Sequence, residues 1–256
     1  MRKVLILSAL ALTSAASAGT LRVGASPVPH AEILNFVKPI LAKQGVELKV
    51  QEFTDYVTPN VALGEGSIDV NFFQHVPYLN SFQKDRPLGI VAGAKVHVEP
   101  IGVYSRRVKQ LRDLKSGATI AIPNDPSNSG RALKLLEQAG LIRLKPNAGI
   151  NATVRDISTN LKKLKFRELD AAQLPRALGD VDAAVINTNY ALEAGLNPLK
   201  DALKLEGKQS PYANVLAAKP ATLKNPDYLK LVAALRSPEV RAFILKKYNG
   251  AVVPAF

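Results

Sequence analysis

The stretch Asn71-Phe72-Phe73-Gln74-His75-Val76-Pro77-Tyr78-Leu79 packs two phenyl rings, an imidazole and a phenol into nine residues at the end of an apolar run. Residues of these types line small, mostly apolar pockets with a few polar tips. With pocket pieces from elsewhere in the chain, such a set suggests a solute-binding protein rather than a catalyst. Phe73, His75 and Tyr78 are also compatible with plain core and surface packing, so the pattern needs partners elsewhere in the chain.

Two further stretches supply them. Arg131 follows Asn128-Ser129-Gly130, and the spacing predicts that it sits at or just inside a helix start. Free backbone N–H groups and the helix dipole favour an anion there, and a guanidinium grips a carboxylate with two parallel bonds. A surface arginine beside Glu137 or Asp125 is the other reading. Asn187, Asn189 and Tyr190 follow a predicted strand at residues 183–186, and Ser210-Pro211-Tyr212-Ala213-Asn214 precedes another apolar strand at residues 215–218. Ligands of open parallel sheets bind outside the carboxyl ends of strands, where these side chains fall.

Catalytic signatures are missing. The chain has no Gly-x-Ser-x-Gly, P-loop, Gly-x-Gly-x-x-Gly or His-Glu-x-x-His motif. Asp69 and Asp182 open predicted strands and read either as strand-opening caps or as an acid/base pair. The three histidines, His30, His75 and His97, form no i,i+4 pair and have no cysteine partner, so no metal is expected. No cofactor is expected either.

Length and composition bound the architecture. The 256 residues are 47% apolar, enough for one large domain or two small ones. With no cysteine, disulfides, thiolate metals and a lipid-modified cysteine are excluded. The net charge of +13 comes from scattered residues; only Arg106-Arg107-Val108-Lys109 and Lys162-Lys163-Leu164-Lys165 cluster, and no aromatics interleave with them. That is a solvated surface rather than a nucleic-acid face. Attraction of anions or of an acidic membrane surface is the second reading.

The N-terminus reads as a signal peptide over residues 1–18. Arg2 and Lys3 precede an apolar run at residues 4–12, too short to span a membrane, and Ala16-Ser17-Ala18 gives a cleavage pattern. Cleavage near Ala18 with no lipobox cysteine predicts a free periplasmic protein.

The remaining elements alternate. Residues 20–26 form a strand, residues 33–41 a helix that Pro39 should kink or shorten, and residues 46–50 a second, parallel strand. Residues 118–122 are a strand, 131–139 a helix and 165–169 a strand. The segment at residues 68–72 is a strand delivering Phe73, His75 and Tyr78. An echo relates Ala62-Leu63-Gly64, followed by Asp69, to Ala177-Leu178-Gly179, followed by Asp182. This is an α/β protein of two similar lobes. The chain crosses near residues 101–106 and returns near 204–211. Helices at 228–235 and 240–248 pack back on the first lobe.

Phe-Gln-His-Val-Pro-Tyr-Leu at 73–79, Pro-Asn-Asp-Pro-x-Asn-x-Gly-Arg at 123–131, Gln-Leu-Pro-Arg at 173–176, Val-Ile-Asn-Thr at 185–188 and Ser-Pro-Tyr-x-Asn at 210–214 resemble the NlpA/MetQ family, methionine-binding proteins of ABC importers. The similarity covers nearly all of the chain beyond the signal segment, from Pro29-His30-Ala31-Glu32-Ile33-Leu34 onward. It implies a type II periplasmic binding-protein fold, with residues 19–103 and 212–256 in lobe 1 and 104–211 in lobe 2. It also implies a non-enzymatic monomer that carries L-methionine to a membrane permease. Tyr56, Phe73, His75 and Tyr78 would surround the thioether, Arg131 would bind the α-carboxylate, and Asn187 and Asn214 would fix the ammonium and carboxylate ends; Asn128, delivered by the same strand end as Arg131, is a further ligand-binding candidate. The chain departs from the family in lacking a lipidated cysteine and in carrying Phe72, which either reshapes the pocket edge or packs into the sheet. A periplasmic dehydratase or hydrolase on the same scaffold is the alternative, and a surface interaction protein with a vestigial cleft is a third reading.

Overall fold

The computed structural model describes residues 19–207 and 210–256. The expected signal peptide, residues 1–18, lies outside them. Two sheets carry the architecture. The first has six strands in the order Val253–Pro254, Val91–Val98, Ala213–Ala218, Val70–His75, Gly19–Ala25, Val46–Glu52. The second has five, in the order Lys204–Leu205, Gly102–Tyr104, Ala183–Ile186, Thr119–Pro123, Lys165–Leu169. The first lobe is therefore built from both ends of the chain and the second from its middle.

The opening β-α-β unit forms as the apolar periodicity predicts. Leu21 pairs with Leu48 and Val23 with Val50 in parallel register. Between these strands, the helix Glu32–Lys43 buries Ile33, Leu34, Val37 and Leu41. That helix runs on through Pro39, against the expectation of a kink or early stop. Pro39 and Asn35 both face solvent, so the carbonyl that loses its donor meets water and the buried side of the helix is untouched. Gly45, at φ 73°, then turns the chain into the next strand. The helices Pro226–Leu235 and Pro238–Tyr248 pack onto this same core through Tyr228, Leu231, Leu235, Val240 and Ile244, as expected.

Three boundaries differ from the sequence reading, each for a physical reason. The strand expected at 68–72 is Val70–His75, buried along its whole length. Its polar members persist there because Asn60, Asn71 and Gln74 satisfy one another: Asn71 Nδ2 donates to Asn60 Oδ1 at 2.8 Å, Gln74 Nε2 to Asn60 Oδ1 at 2.7 Å and Asn60 Nδ2 to Gln74 Oε1 at 3.0 Å. The helix expected from Arg131 begins at Pro126 and ends at Gln138. Asp125 is its N-cap, accepting from the Asn128 N–H at 2.9 Å, and proline at the first position has no donor to lose. Arg131 thus lies in the second turn. Finally, Gly102–Tyr104 already pairs in the second sheet, so the chain crosses two residues before the boundary expected after residue 103.

Gly130, inside the helix Pro126–Gln138, is a packing requirement. A Cβ there would lie 2.1 Å from the Ile150 carbonyl oxygen and 2.8 Å from the Ala152 nitrogen, both backbone. Alanine is the better helix former by about 1 kcal/mol, yet the clash should outweigh that gain. Gly130→Ala is expected to lower stability by about 1–3 kcal/mol, read as a reduced urea midpoint with unchanged m-value. Equal or greater stability would show that the loop at residues 150–152 yields freely.

Candidate functional site

A cavity lies between the lobes, at the carboxyl ends of the central strands. Tyr56, Phe73, Gln74, His75, Tyr78, Glu99 and Asn214 line it from the first lobe and the crossing. Asn128, Arg131, Asn187, Thr188 and Asn189 line it from the second. All eight residues singled out from the sequence are in this one set. The strand Val70–His75 delivers Phe73 and His75 on its last turn of the pleat, and the helix Val76–Asp85 delivers Tyr78 on its first turn. Asn187 follows the strand Ala183–Ile186, and Asn214 lies in the strand Ala213–Ala218.

One end of the cavity is a box of rings. Tyr56 lies 5.9 Å from Phe73 and 5.7 Å from Tyr78, and Phe73 lies 6.0 Å from Tyr78, between centroids. The Tyr78 hydroxyl donates to the Tyr56 carbonyl at 2.8 Å, and the Tyr56 hydroxyl reaches across the cleft to Asn189 Oδ1 at 2.6 Å. With their hydroxyls turned to these partners, the ring bodies remain for apolar contact. His75 is fixed in one tautomer. Its Nδ1 accepts from the Tyr78 N–H at 3.1 Å, so its Nε2 carries the proton and donates to Asn128 Oδ1 at 3.2 Å. Burial and the nearby Arg131 lower its pKa from 6.5 to about 3, and the ring is neutral at physiological pH.

The opposite end is charged. Arg131 is 3% exposed. Its Nε donates to Glu206 Oε1 at 3.0 Å, its Nη2 donates to the Glu99 carbonyl at 2.7 Å and also pairs with the other Glu206 oxygen. Its guanidinium stacks over the Tyr212 ring at 4.3 Å. Neither expected surface partner, Glu137 or Asp125, holds it. Nη1 has no hydrogen-bond acceptor among the described residues, which leaves one edge of the fork for an incoming anion. Around it the amides divide their roles. Asn187 Oδ1 is a buried acceptor and Asn189 Nδ2 a buried donor, both without a partner among the described residues. Unmatched buried polar atoms cost about 1–3 kcal/mol each, and a zwitterion would relieve both.

Glu99, His30 and His97 form a buried cluster beside this end. Both imidazoles bring Nε2 to the same carboxylate oxygen, at 3.1 Å and 2.7 Å. Burial would raise the Glu99 pKa, but the two rings hold it well below the usual carboxylate range. Both Nδ1 atoms are buried without a partner among the described residues, whereas metal-bound histidines carry a hydrogen bond on the second nitrogen. The arrangement is therefore a carboxylate held by two imidazoles. Phe72 is fully buried and packs edge-on to His30 at 4.7 Å; it belongs to the sheet core and does not line the cavity.

Asp69 and Asp182 sit at the far ends of their strands. Asp69 accepts from the Arg22 N–H at 2.8 Å and from its guanidinium, and Asp182 accepts from the Thr119 N–H at 2.8 Å and from Arg107. They are strand-opening clamps, and the acid/base pairing of the enzyme reading does not occur in this structure. Sequence reasoning missed Gln74, Glu99 and Thr188 in the lining, and Glu206 behind it. Glu99 carried a signal, as a lone acid inside the apolar run Val96-His97-Val98-Glu99-Pro100-Ile101.

The family model for the NlpA lipoprotein matches residues 21–256. The chain belongs to that family. Among solved structures, a nutrient-binding protein from Burkholderia cenocepacia bound to methionine superposes with a TM-score of 0.90 at 52% identity, covering 92% of this chain and all of the other. An ABC transporter periplasmic substrate-binding protein from Coxiella burnetii gives 0.88 at 49% identity, with 92% of this chain and 100% of that one covered. The D-methionine-binding lipoprotein MetQ of Escherichia coli is 45% identical over 213 residues, 82% of this chain and 79% of the relative. This NlpA-family chain thus has the two-lobed α/β fold of periplasmic substrate-binding proteins, type II in its strand order.

The neutral His75 ties stability to pH. Between about pH 6.5 and pH 3 the unfolded imidazole binds a proton that the folded one excludes, so acidification favours unfolding. Across that window His75 should cost up to about 1.4 kcal/mol per pH unit. His97, also lowered by burial, acts with the same sign. Urea midpoints of His75→Gln should therefore fall less steeply than those of the parent as pH drops from about 7 to 5. Parallel slopes would place a charged ring in the folded cleft.

Proposed function

We propose that the chain is an extracytoplasmic binding protein that captures methionine and presents it to the membrane permease of an ABC importer, acting as a soluble periplasmic monomer without catalysis. The observation that carries this reading is the pairing, in one cavity, of a three-ring box with an arginine edge and unmatched amide atoms. The rings suit a flexible thioether, at about 0.3–1.5 kcal/mol per sulfur–aromatic contact. Burial of the side chain contributes about 1.5–3 kcal/mol. Arg131 suits the carboxylate, where a charge-assisted bond contributes about 1.5–3 kcal/mol. Asn187 and Glu99 suit the ammonium; Asn214, Asn189 and Asn128 complete the polar lining. The methionine-bound structural neighbour and the methionine-binding name of the E. coli relative support the same ligand.

Binding couples to closure because the ligand touches both lobes. Arg131, Asn128 and Asn187 come from one, and Phe73, His75, Tyr78 and Asn214 from the other. A solute that contacts both stabilises the closed arrangement by its differential affinity for it. The closed face is what a permease would read.

Two measurements test the proposal. Purified protein should gain several degrees of melting temperature with L-methionine, with D-methionine run in parallel to rank the enantiomers. Arg131→Ala should weaken methionine binding by at least about tenfold in calorimetry. A shift produced only by another amino acid or a short peptide would redirect the ligand, and unchanged affinity in the variant would remove the arginine from the carboxylate site.

A further inference from the structure

We infer that Asp125, which lies outside the cavity lining, sets the polarity of the amide chain that receives the ligand's ammonium group; the inference rests on the methionine reading above. The chain runs Asp125, Asn128, Asn187, and both ends of the Asn128 amide are fixed independently. On one side stands a carboxylate that only accepts: Asn128 Nδ2 lies 2.9 Å from Asp125 Oδ2 and 3.1 Å from Oδ1. On the other side stands His75, whose Nδ1 is committed to the backbone N–H of Tyr78, leaving Nε2 as a donor to Asn128 Oδ1 at 3.2 Å. Both constraints demand the same orientation, with Oδ1 toward the cleft.

That orientation dictates the next one. Asn187 must turn its Nδ2 to Asn128 Oδ1, at 3.0 Å. Its own Oδ1 is then left as a buried acceptor without a partner among the described residues, on a residue that lines the cavity. An acceptor in that place welcomes an N–H⁺ donor and repels a carboxylate or a carbonyl. Asn128 and Asn187 are amides that could otherwise face either way, and the acid at the head of the row makes the choice together with the His75 imidazole. Asp125 is a positioning residue, acting through Asn128 and Asn187 on a group it does not touch.

The discriminating variant is D125N. Asparagine caps helices as well as aspartate does, so the turn that starts at Pro126 is retained. Its amide, however, sets a donor against Asn128 Nδ2 and releases the row. Calorimetric titrations with L-methionine and with its des-amino analogue supply a readout that a purely structural role would not move. D125N should lose about tenfold for methionine and under about twofold for the analogue, with a ligand-free melting temperature close to the parent's. The exchange variant D125N/N128D puts the carboxylate one step nearer Asn187, again as an acceptor, and should recover most of the discrimination. Equal losses for both ligands, no loss in D125N, or no recovery in the exchange variant overturns the relay while methionine binding by the parent stands. If the parent binds no methionine, the functional reading and the relay fall together.

Discussion

A guanidinium taken out of water must be matched on every side, and the cleft is organised by that demand. Arg131 is buried on the second lobe's helix Pro126–Gln138, yet its partners lie on the two strands of chain that join the lobes: the Glu99 carbonyl on the way out, Glu206 on the way back, and the Tyr212 face beyond. Breaking one partner away from such a group costs about 3–5 kcal/mol. The arginine therefore holds the crossings together and, with the same planar group, keeps one edge directed at the cavity. Its rigidity comes from Glu206 and Tyr212; its availability comes from Nη1. A lysine, with a single mobile ammonium, would supply neither the stacking nor the fork.

The other polar groups follow the same logic of prior commitment. His75 is neutral because burial and the arginine make charge costly there. Glu99 stays ionised because His97 hydrogen-bonds it at 2.7 Å and the His30 Nε2, also in contact with Asn214 Oδ1, lies 3.1 Å from the same oxygen. Asn128 is spoken for on both sides. Among the described residues, the groups left uncommitted along the cavity include one arginine edge, the Asn187 oxygen and the Asn189 nitrogen, beside a ring-lined recess. A site so prepared loses little ordering entropy when a solute arrives. It can therefore favour a zwitterion with an apolar tail while making few direct contacts.

Much of this was visible in the residues, and the rest was hidden for identifiable reasons. Apolar runs that end in Asn187, His75 or Asn124 mark strand ends, because a strand buried between helices cannot carry such groups in its interior unaided. That rule located the cleft and placed Phe73, His75, Tyr78, Asn128, Arg131 and Asn187 in it, while Tyr56 and Asn214 entered through the family resemblance. It misplaced the strand Val70–His75, since Asn71 and Gln74 look like loop residues until Asn60 is seen to pair with them. The helix start was concealed by Pro-Ser-Asn-Ser-Gly, which reads as a turn; an Asp followed by Pro was the available sign of a capped first turn. Glu206 was invisible. It lies in a polar stretch near a return crossing, and only the folded chain brings it 75 positions back to Arg131.

The clamps at the remote ends of the sheets have a mechanical consequence. In each lobe an aspartate joins neighbouring parallel strands by a two-way backbone bond: Asp69 N donates to the Arg22 carbonyl and Asp182 N to the Thr119 carbonyl, both at 2.9 Å, while each carboxylate accepts in return. Fastened at the edge farthest from the solute, neither sheet can splay when the halves separate. Each sheet is thereby held in shape from the side remote from the cavity.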